Sequence, residues 1–353
     1  MQDTVLVGVL VTVISGLVMG TSPWPLKLMR RFRYEQFAFV SMLFALLILP
    51  WAITFIGCPD ILAAYGSVPT GLLIRANLFS LAWGIAQVLA LLCFVRIGVS
   101  LTYGILCAIG ACVGVITPMV FKASGAFAFA PGLNSKAGFT VLAGVLVMVG
   151  GVFLASLAGF GREKMLRSGE EKKTHAAGGF GLGLIMVVTA GVLSAGWGFA
   201  FAYSQGPVIE AFKAHGASDF AAGVAVWALA LFGAALVNAL YPAWLLTRKK
   251  SWNVLLQNPK EILLALVYGL LFFIPSVLLG KGMILLGALG ASVGFGVVQG
   301  TLILGGQALG FASGEWRGIT GKPRQHMYLA VAVLIISMAI LAWGNSLASG
   351  AAQ

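Results

Sequence analysis

"RIGVSLTYGIL", Arg96 to Leu106, returns 192 positions later in altered form as "ALGASVGFGVV", Ala288 to Val298. Both copies carry Gly-x-Ser-x-x-aromatic-Gly. The first has Gly98, Ser100, Tyr103 and Gly104; the second has Gly290, Ser292, Phe295 and Gly296. With 47 glycines in the chain a single glycine match means little, but four aligned positions sharing one pattern need a cause. The surroundings of the two copies supply it.

Each copy opens an apolar run, and such runs make up most of the chain. Of 353 residues 60% are hydrophobic and 9% charged, with a mean hydropathy of +1.00. A soluble domain carries roughly 25% charged residues. The solvent is therefore lipid, where every backbone N–H and C=O must be paired within the protein, leaving helices or closed barrels. The runs are about 20 residues or longer rather than alternating segments of about ten, which selects helices. Ten spans are predicted, over 4–22, 35–56, 71–94, 98–121, 137–158, 179–203, 218–246, 260–280, 284–311 and 326–347. The first starts without a preceding Lys or Arg and without an A-x-A-like cleavage site, so it reads as a retained span rather than a signal peptide.

Basic residues fall unevenly between the spans. Of 22 Lys and Arg, only Arg75, Lys122, Lys136, Lys213 and Lys281 lie on the side of the even-numbered loops. The other 17 lie in the odd-numbered loops, which places those loops in the cytoplasm and both termini outside. The net charge of +12 is thus a topology signal, and no nucleic-acid partner follows from it. The two echoes open the fourth and the ninth span. Five spans separate them, an odd number, so the copies cross the membrane in opposite directions. Inverted repeats of this kind mark secondary transporters, whose halves rock around a shared site. The expected organisation is a first five-helix repeat over 1–158, a cytoplasmic linker over 159–178 and a second repeat over 179–353.

"LPWAI" (49–53), "WGIAQ" (83–87), the "RIGVSLTYGI" turn, "TPMV" (117–120), "LSAGWGFAF" (193–201), "GAALVNALY" (233–241) and "GEWRG" (314–318) occur in that order along nearly the whole chain. In this the chain resembles the L-rhamnose–proton symporter family of the drug/metabolite transporter superfamily. The resemblance implies an all-α integral membrane fold of ten helices in two inverted five-helix repeats. It also implies uptake of a deoxysugar or other neutral monosaccharide with protons, across the bacterial inner membrane. "QVLALLCF" (87–94) and "LLFFIPSVLLGKG" (270–282) depart from it in being strongly apolar, and offer few partners to sugar hydroxyls.

A sugar site combines flat aromatic faces for C–H surfaces with amides and hydroxyls for O–H groups. Mid-span residues of those types are few. Asn77, Ser80, Gly84 and Gln87 share one helical face, with Trp83 beside it; Trp227, Ala234, Asn238 and Tyr241 share another. The substrate candidates are Asn77, Trp83, Gln87, Tyr103, Trp197, Tyr203, Asn238 and Gln299. The alternative role for Gln87, Asn238 and Gln299 is bonding to neighbouring helices. Trp24, Trp51, Trp244, Trp252, Trp316 and Trp343 sit near span ends, as interface anchors do.

No Asp or Glu lies at the middle of a predicted span. Glu35, Asp219 and Lys281 can serve proton coupling only if their helix ends dip inward; otherwise they are solvated or snorkelling end groups. An exporter or facilitator of the same superfamily is the competing reading, although an exporter of cations wants a buried carboxylate. An enzyme is disfavoured: HExxH is absent and His175, His215 and His326 are scattered. Cys58, Cys93, Cys107 and Cys112 form no CxxC, so neither a metal site nor a cofactor is expected.

Overall fold

Helices α1 (Gln2–Thr21), α2 (Tyr34–Leu43), α3 (Leu49–Gly57), α4 (Ile61–Gly66), α5 (Thr70–Ile97), α6 (Val99–Val120) and α7 (Lys136–Arg167) are followed by α8 (Gly179–Ser194), α9 (Gly196–Ala214), α10 (Asp219–Arg248), α11 (Asn253–Gln257), α12 (Pro259–Leu285), α13 (Phe295–Ala312) and α14 (Lys322–Ala351). The structure is a computed structural model that describes residues 2–97, 99–121, 132–167, 179–286 and 293–351. Among these residues there is no β-strand, and nine stretches are helical, long and apolar enough to cross a membrane. α6 carries a further apolar stretch, Gly104–Val120. Gly98, Gly290 and Ser292 of the repeated motif lie outside the described residues.

The spans differ from the sequence expectation in places: the eighth runs on to Leu285, past its expected end at 280 and over the expected start of the ninth at 284, and the tenth is helical over Lys322–Ala351. The fifth continues as helix to Arg167, nine residues into the expected linker, because "GREKMLR" is rich in strong helix formers and sets Glu163 four residues before Arg167. The remainder of that linker, 168–178, lies outside the described residues. The sixth is two helices rather than one: α8 stops at Ser194, and α9 starts at Gly196 and runs to Ala214. Glycines at 191, 196 and 198 weaken the helix there, and the Ser194 hydroxyl donates to the Gly191 carbonyl at 2.7 Å.

The helices gather into two compact units. The first comprises Met1–Gly20, Ala86–Ala195 and Gly282–Gln353; the second comprises Thr21–Ile85 and Gly196–Lys281. Each unit draws on both halves of the chain.

The first unit is built on close backbone approach. In lipid there is no hydrophobic drive between helices, so contact depends on van der Waals packing over small residues. Gly144 and Gly151 of α7 receive Leu341 and Leu334 of α14, and Gly344 of α14 receives Val141. The spacing of seven on both helices is that of a left-handed pair. The Ser337 hydroxyl donates to the Gly144 carbonyl at 3.0 Å across this seam. Where α1 meets α13, a Cβ on Gly20 would run into the Leu302 carbonyl, and one on Gly305 into the Leu17 carbonyl. The core between α6, α7, α13 and α14 is aliphatic, with Val115, Met148, Val297 and Leu334 at its centre.

In the second unit α2 and α3 form one span that widens into a π-helix over Phe44–Ile48. Pro50 lacks the N–H that an α-helix would need there, and a wider turn accommodates the gap. At one end of this unit the loops are tied by acids. Glu35, almost fully buried, accepts from Lys249 Nζ at 3.0 Å. The Glu261 carboxylate accepts from the backbone N–H groups of Arg30 (2.9 Å), Arg31 (2.7 Å) and Phe32. Gln36 donates to the Ser251 hydroxyl at 3.0 Å.

Trp24, Trp244, Trp252 and Trp343 are exposed, as interface anchors should be. Trp316 is not: it is 4% exposed, stacked on Phe311 with ring centroids 5.2 Å apart and covered by the Arg162 guanidinium. Trp51 is also drawn inward, against Phe55, Tyr65 and Phe232. Both lie near span ends, but residues distant in sequence pack against them, Arg162 over Trp316 and Phe232 against Trp51.

Candidate functional site

Four helices of the second unit converge around Trp83, and three glycines allow it. A Cβ on Gly84 of α5 would stand 2.8 Å from the Ala234 Cα of α10. One on Gly233 of α10 would stand 2.5 Å from the Asn77 carbonyl oxygen. One on Gly196, the first residue of α9, would run into the Phe79 carbonyl. The Ser80 hydroxyl accepts from the Ala234 N–H at 2.9 Å. Helices held this close leave the rings on their flanks stacked against one another.

Trp83 stacks on Trp197 of α9 (5.8 Å, 21°) and on Phe272 of α12 (6.0 Å, 16°). Trp197 also meets Trp227 of α10 at 5.8 Å, and Trp227 stacks on Phe201 at 4.4 Å. Trp83 and Trp197 are each 5% exposed. The polar candidates of the same unit bond elsewhere. Asn77 donates to the Leu73 carbonyl at 3.0 Å, while its Oδ1 is buried without a partner. Asn238, also buried, donates to the Ala234 carbonyl at 3.0 Å. The Tyr203 hydroxyl accepts from the Arg75 guanidinium at 2.8 Å, and the Tyr203 ring packs on Phe79.

Five sequence candidates therefore lie in the second unit: Asn77, Trp83, Trp197, Tyr203 and Asn238. The face expected from Asn77, Ser80, Gly84 and Gln87 is divided. Ser80 and Gly84 are engaged with α10, and Gln87 lies on the part of α5 that belongs to the first unit. In that unit Gln299 of α13 is 8% exposed and approaches Gly110 of α6, with the Ser194 hydroxyl beside it. Tyr103 is in α6, but its side chain lies outside the described residues. Sequence reading missed Phe272, an unremarkable aromatic in an apolar run, and Arg75, counted only as a topology charge.

The coupling candidates have different surroundings. Glu35 is buried and paired with Lys249; Asp219 is 88% exposed and paired with Lys213 at 2.7 Å; Lys281 is exposed on α12. Outside the spans, Tyr65 of α4 donates to the Ala225 carbonyl at 2.8 Å, and burial raises its phenol above the ordinary tyrosine range. Among the described residues no three His, Cys, Asp or Glu side chains gather to hold a metal. Flat stacked rings suit the apolar face of a neutral ring compound.

A family described as L-rhamnose-proton symport protein (RhaT) matches residues 1–349. The L-rhamnose-proton symporter of Klebsiella pneumoniae is 28% identical over 330 residues, covering 91% of this chain and 92% of its own. That of Pectobacterium atrosepticum is 26% identical over 351 residues, covering 98% and 99%. That of Yersinia pestis is 25% identical over 356 residues, with the same coverage.

Proposed function

The chain belongs to the L-rhamnose-proton symport protein family, and from that premise we propose that it takes up a deoxysugar of the L-rhamnose type together with protons. It is a multi-pass membrane transporter, not an enzyme. The observation that carries the reading is a family match over residues 1–349, with relatives of that name aligned over nearly their whole length. Export is the weaker reading, since all three relatives carry the symporter name.

Alternating access needs two bodies, and the reading is ten spans in two inverted five-helix repeats. α6, with 22 residues, is about 33 Å long, enough to serve as the tenth. The distribution of spans between the compact units supports the repeat. Moving five spans along the chain, α2–α3 and α10 both belong to the second unit, α6 and α13 to the first, and α7 and α14 to the first. α5 and α12 each begin in the second unit and end in the first, passing over beside Gly84 and Gly282.

The sugar-binding role falls to Trp83 and Trp197, with Asn77, Tyr203 and Asn238 in the same unit; Gln87, Tyr103 and Gln299 are the further candidates from the sequence. A 6-deoxy sugar presents a methyl group and C–H faces that suit so aromatic a setting. Among the coupling candidates Glu35 is favoured, because it is a carboxyl withdrawn from water and held by a single cation. Proteoliposomes under an inward proton gradient should accumulate labelled L-rhamnose and lose it on adding a protonophore. Glu35→Gln should abolish accumulation but retain sugar exchange. Neither uptake nor thermal stabilisation across a panel of monosaccharides would overturn the sugar assignment.

A further inference from the structure

The basic end of the second unit is the end that the distribution of Lys and Arg places in the cytoplasm. Its charge is not matched by its acids. Glu35 is buried and engaged by Lys249, and Glu261 directs its carboxylate at the backbone of residues 30–32. Asp219 is at the opposite end of α10, about 43 Å away along the axis. Among the described residues the guanidinium groups of Arg30 and Arg33 have neither hydrogen bond nor ion pair, and that of Arg31 feels Glu261 only at a distance.

Two features present these cations rather than merely tolerate them. The Glu261 carboxylate clamps three successive N–H groups, so the Arg30–Arg33 segment is ordered before anything binds it. Across from it α10 ends in a Schellman motif, with Ser251 N–H on the Leu246 carbonyl and Lys250 N–H on the Thr247 carbonyl. The left-handed position of that motif normally holds glycine. Here it holds Lys250 at φ 50°, the one non-glycine residue with positive φ among the described residues. The two segments are joined through Gln36 and Ser251. Around them Trp24, Leu28, Trp252 and Leu256 are 38%, 57%, 40% and 86% exposed, the amphipathic border of a surface that sits in headgroups.

We propose that this end of the second unit is a binding surface for anionic phospholipid headgroups, gripped by Arg30, Arg31, Arg33 and Lys250. Several cations on an ordered loop bind a phosphodiester with little further loss of freedom, and the apolar border keeps the acyl chain in the bilayer. Zwitterionic lipid supplies no net charge to reward the cluster.

The test uses the full chain purified in an uncharged detergent, with unfolding followed by temperature ramp. Phosphatidylglycerol should raise the unfolding temperature by about 5 °C, phosphatidylcholine should not, and high salt should remove the gain. The triple variant R30Q/R31Q/R33Q should lose the gain, while R317Q/K322Q/R324Q in the first unit should keep it. Lys250→Gly relieves the left-handed residue, so it should be at least as stable without lipid yet gain less from phosphatidylglycerol. That variant decides the matter if the triple arginine change does not fold. Equal stabilisation by phosphatidylcholine, the same gain from inorganic phosphate alone, or an undiminished gain in Lys250→Gly would each overturn the proposal.

Discussion

In the first unit α7 meets α14 through Gly144, Gly151 and Gly344, and the surrounding core is Val, Met and Leu. In the second, α5, α9, α10 and α12 meet around Trp83, Trp197, Trp227, Phe201 and Phe272. Both units use glycine to bring backbones together, but they fill what remains differently. Aliphatic knobs against glycine make a seam with one good register. Stacked rings present large flat faces whose mutual attraction is modest and whose contacts a sugar's C–H face can replace. Polar ties occur in both: Ser337 bonds a backbone carbonyl within the glycine seam and Arg162 pairs with Glu315 in the first unit, while Ser80 bonds the Ala234 N–H and Glu35 and Glu261 hold loops in the second.

The sharpest way to break the comparison is at α1 and α13. Gly305→Ala would press a methyl group into the Leu17 carbonyl, where no flexible side chain can yield, and should destabilise the protein by about 3 kcal/mol. Thermal unfolding in detergent measures it; wild-type stability would mean that the glycine contacts do not hold the first unit together. Next is Glu261→Ala, which leaves three clamped N–H groups without their acceptor. Charge-assisted bonds contribute roughly 1.5–3 kcal/mol, so a loss of about 2 kcal/mol is expected, with proteolysis near Arg30–Phe32 as the local readout.

Trp83→Phe should keep the stack and the fold but weaken sugar binding about tenfold, equivalent to about 1.4 kcal/mol. Isothermal titration with L-rhamnose reads it, and unchanged affinity would remove Trp83 from the site. The smallest effect separates two adjacent residues of α7. Gly150 has open space where a Cβ would go, whereas Gly151 faces Leu334. Gly150→Ala should therefore raise stability by about 0.5 kcal/mol through helix propensity alone. Destabilisation there would show that crowding on α7 is not confined to the α14 seam.

Composition and the length of the apolar runs already determined that this protein is helical and embedded in lipid. Apolar run length is a local property, readable along one strand of text. The interior position of Trp83 and Trp197 was also legible, because both fall in the middle of predicted spans. Only the tertiary structure decided that Phe272 completes their stack, that Ser80 and Gly84 face α10, and that Trp316 is interior. It also decided that the sixth span breaks at Ala195 and that Glu261 grips a backbone some 230 residues earlier in the chain. Each of these depends on which helices become neighbours. In an apolar chain that choice rests on the fit of small surfaces, which periodicity does not encode.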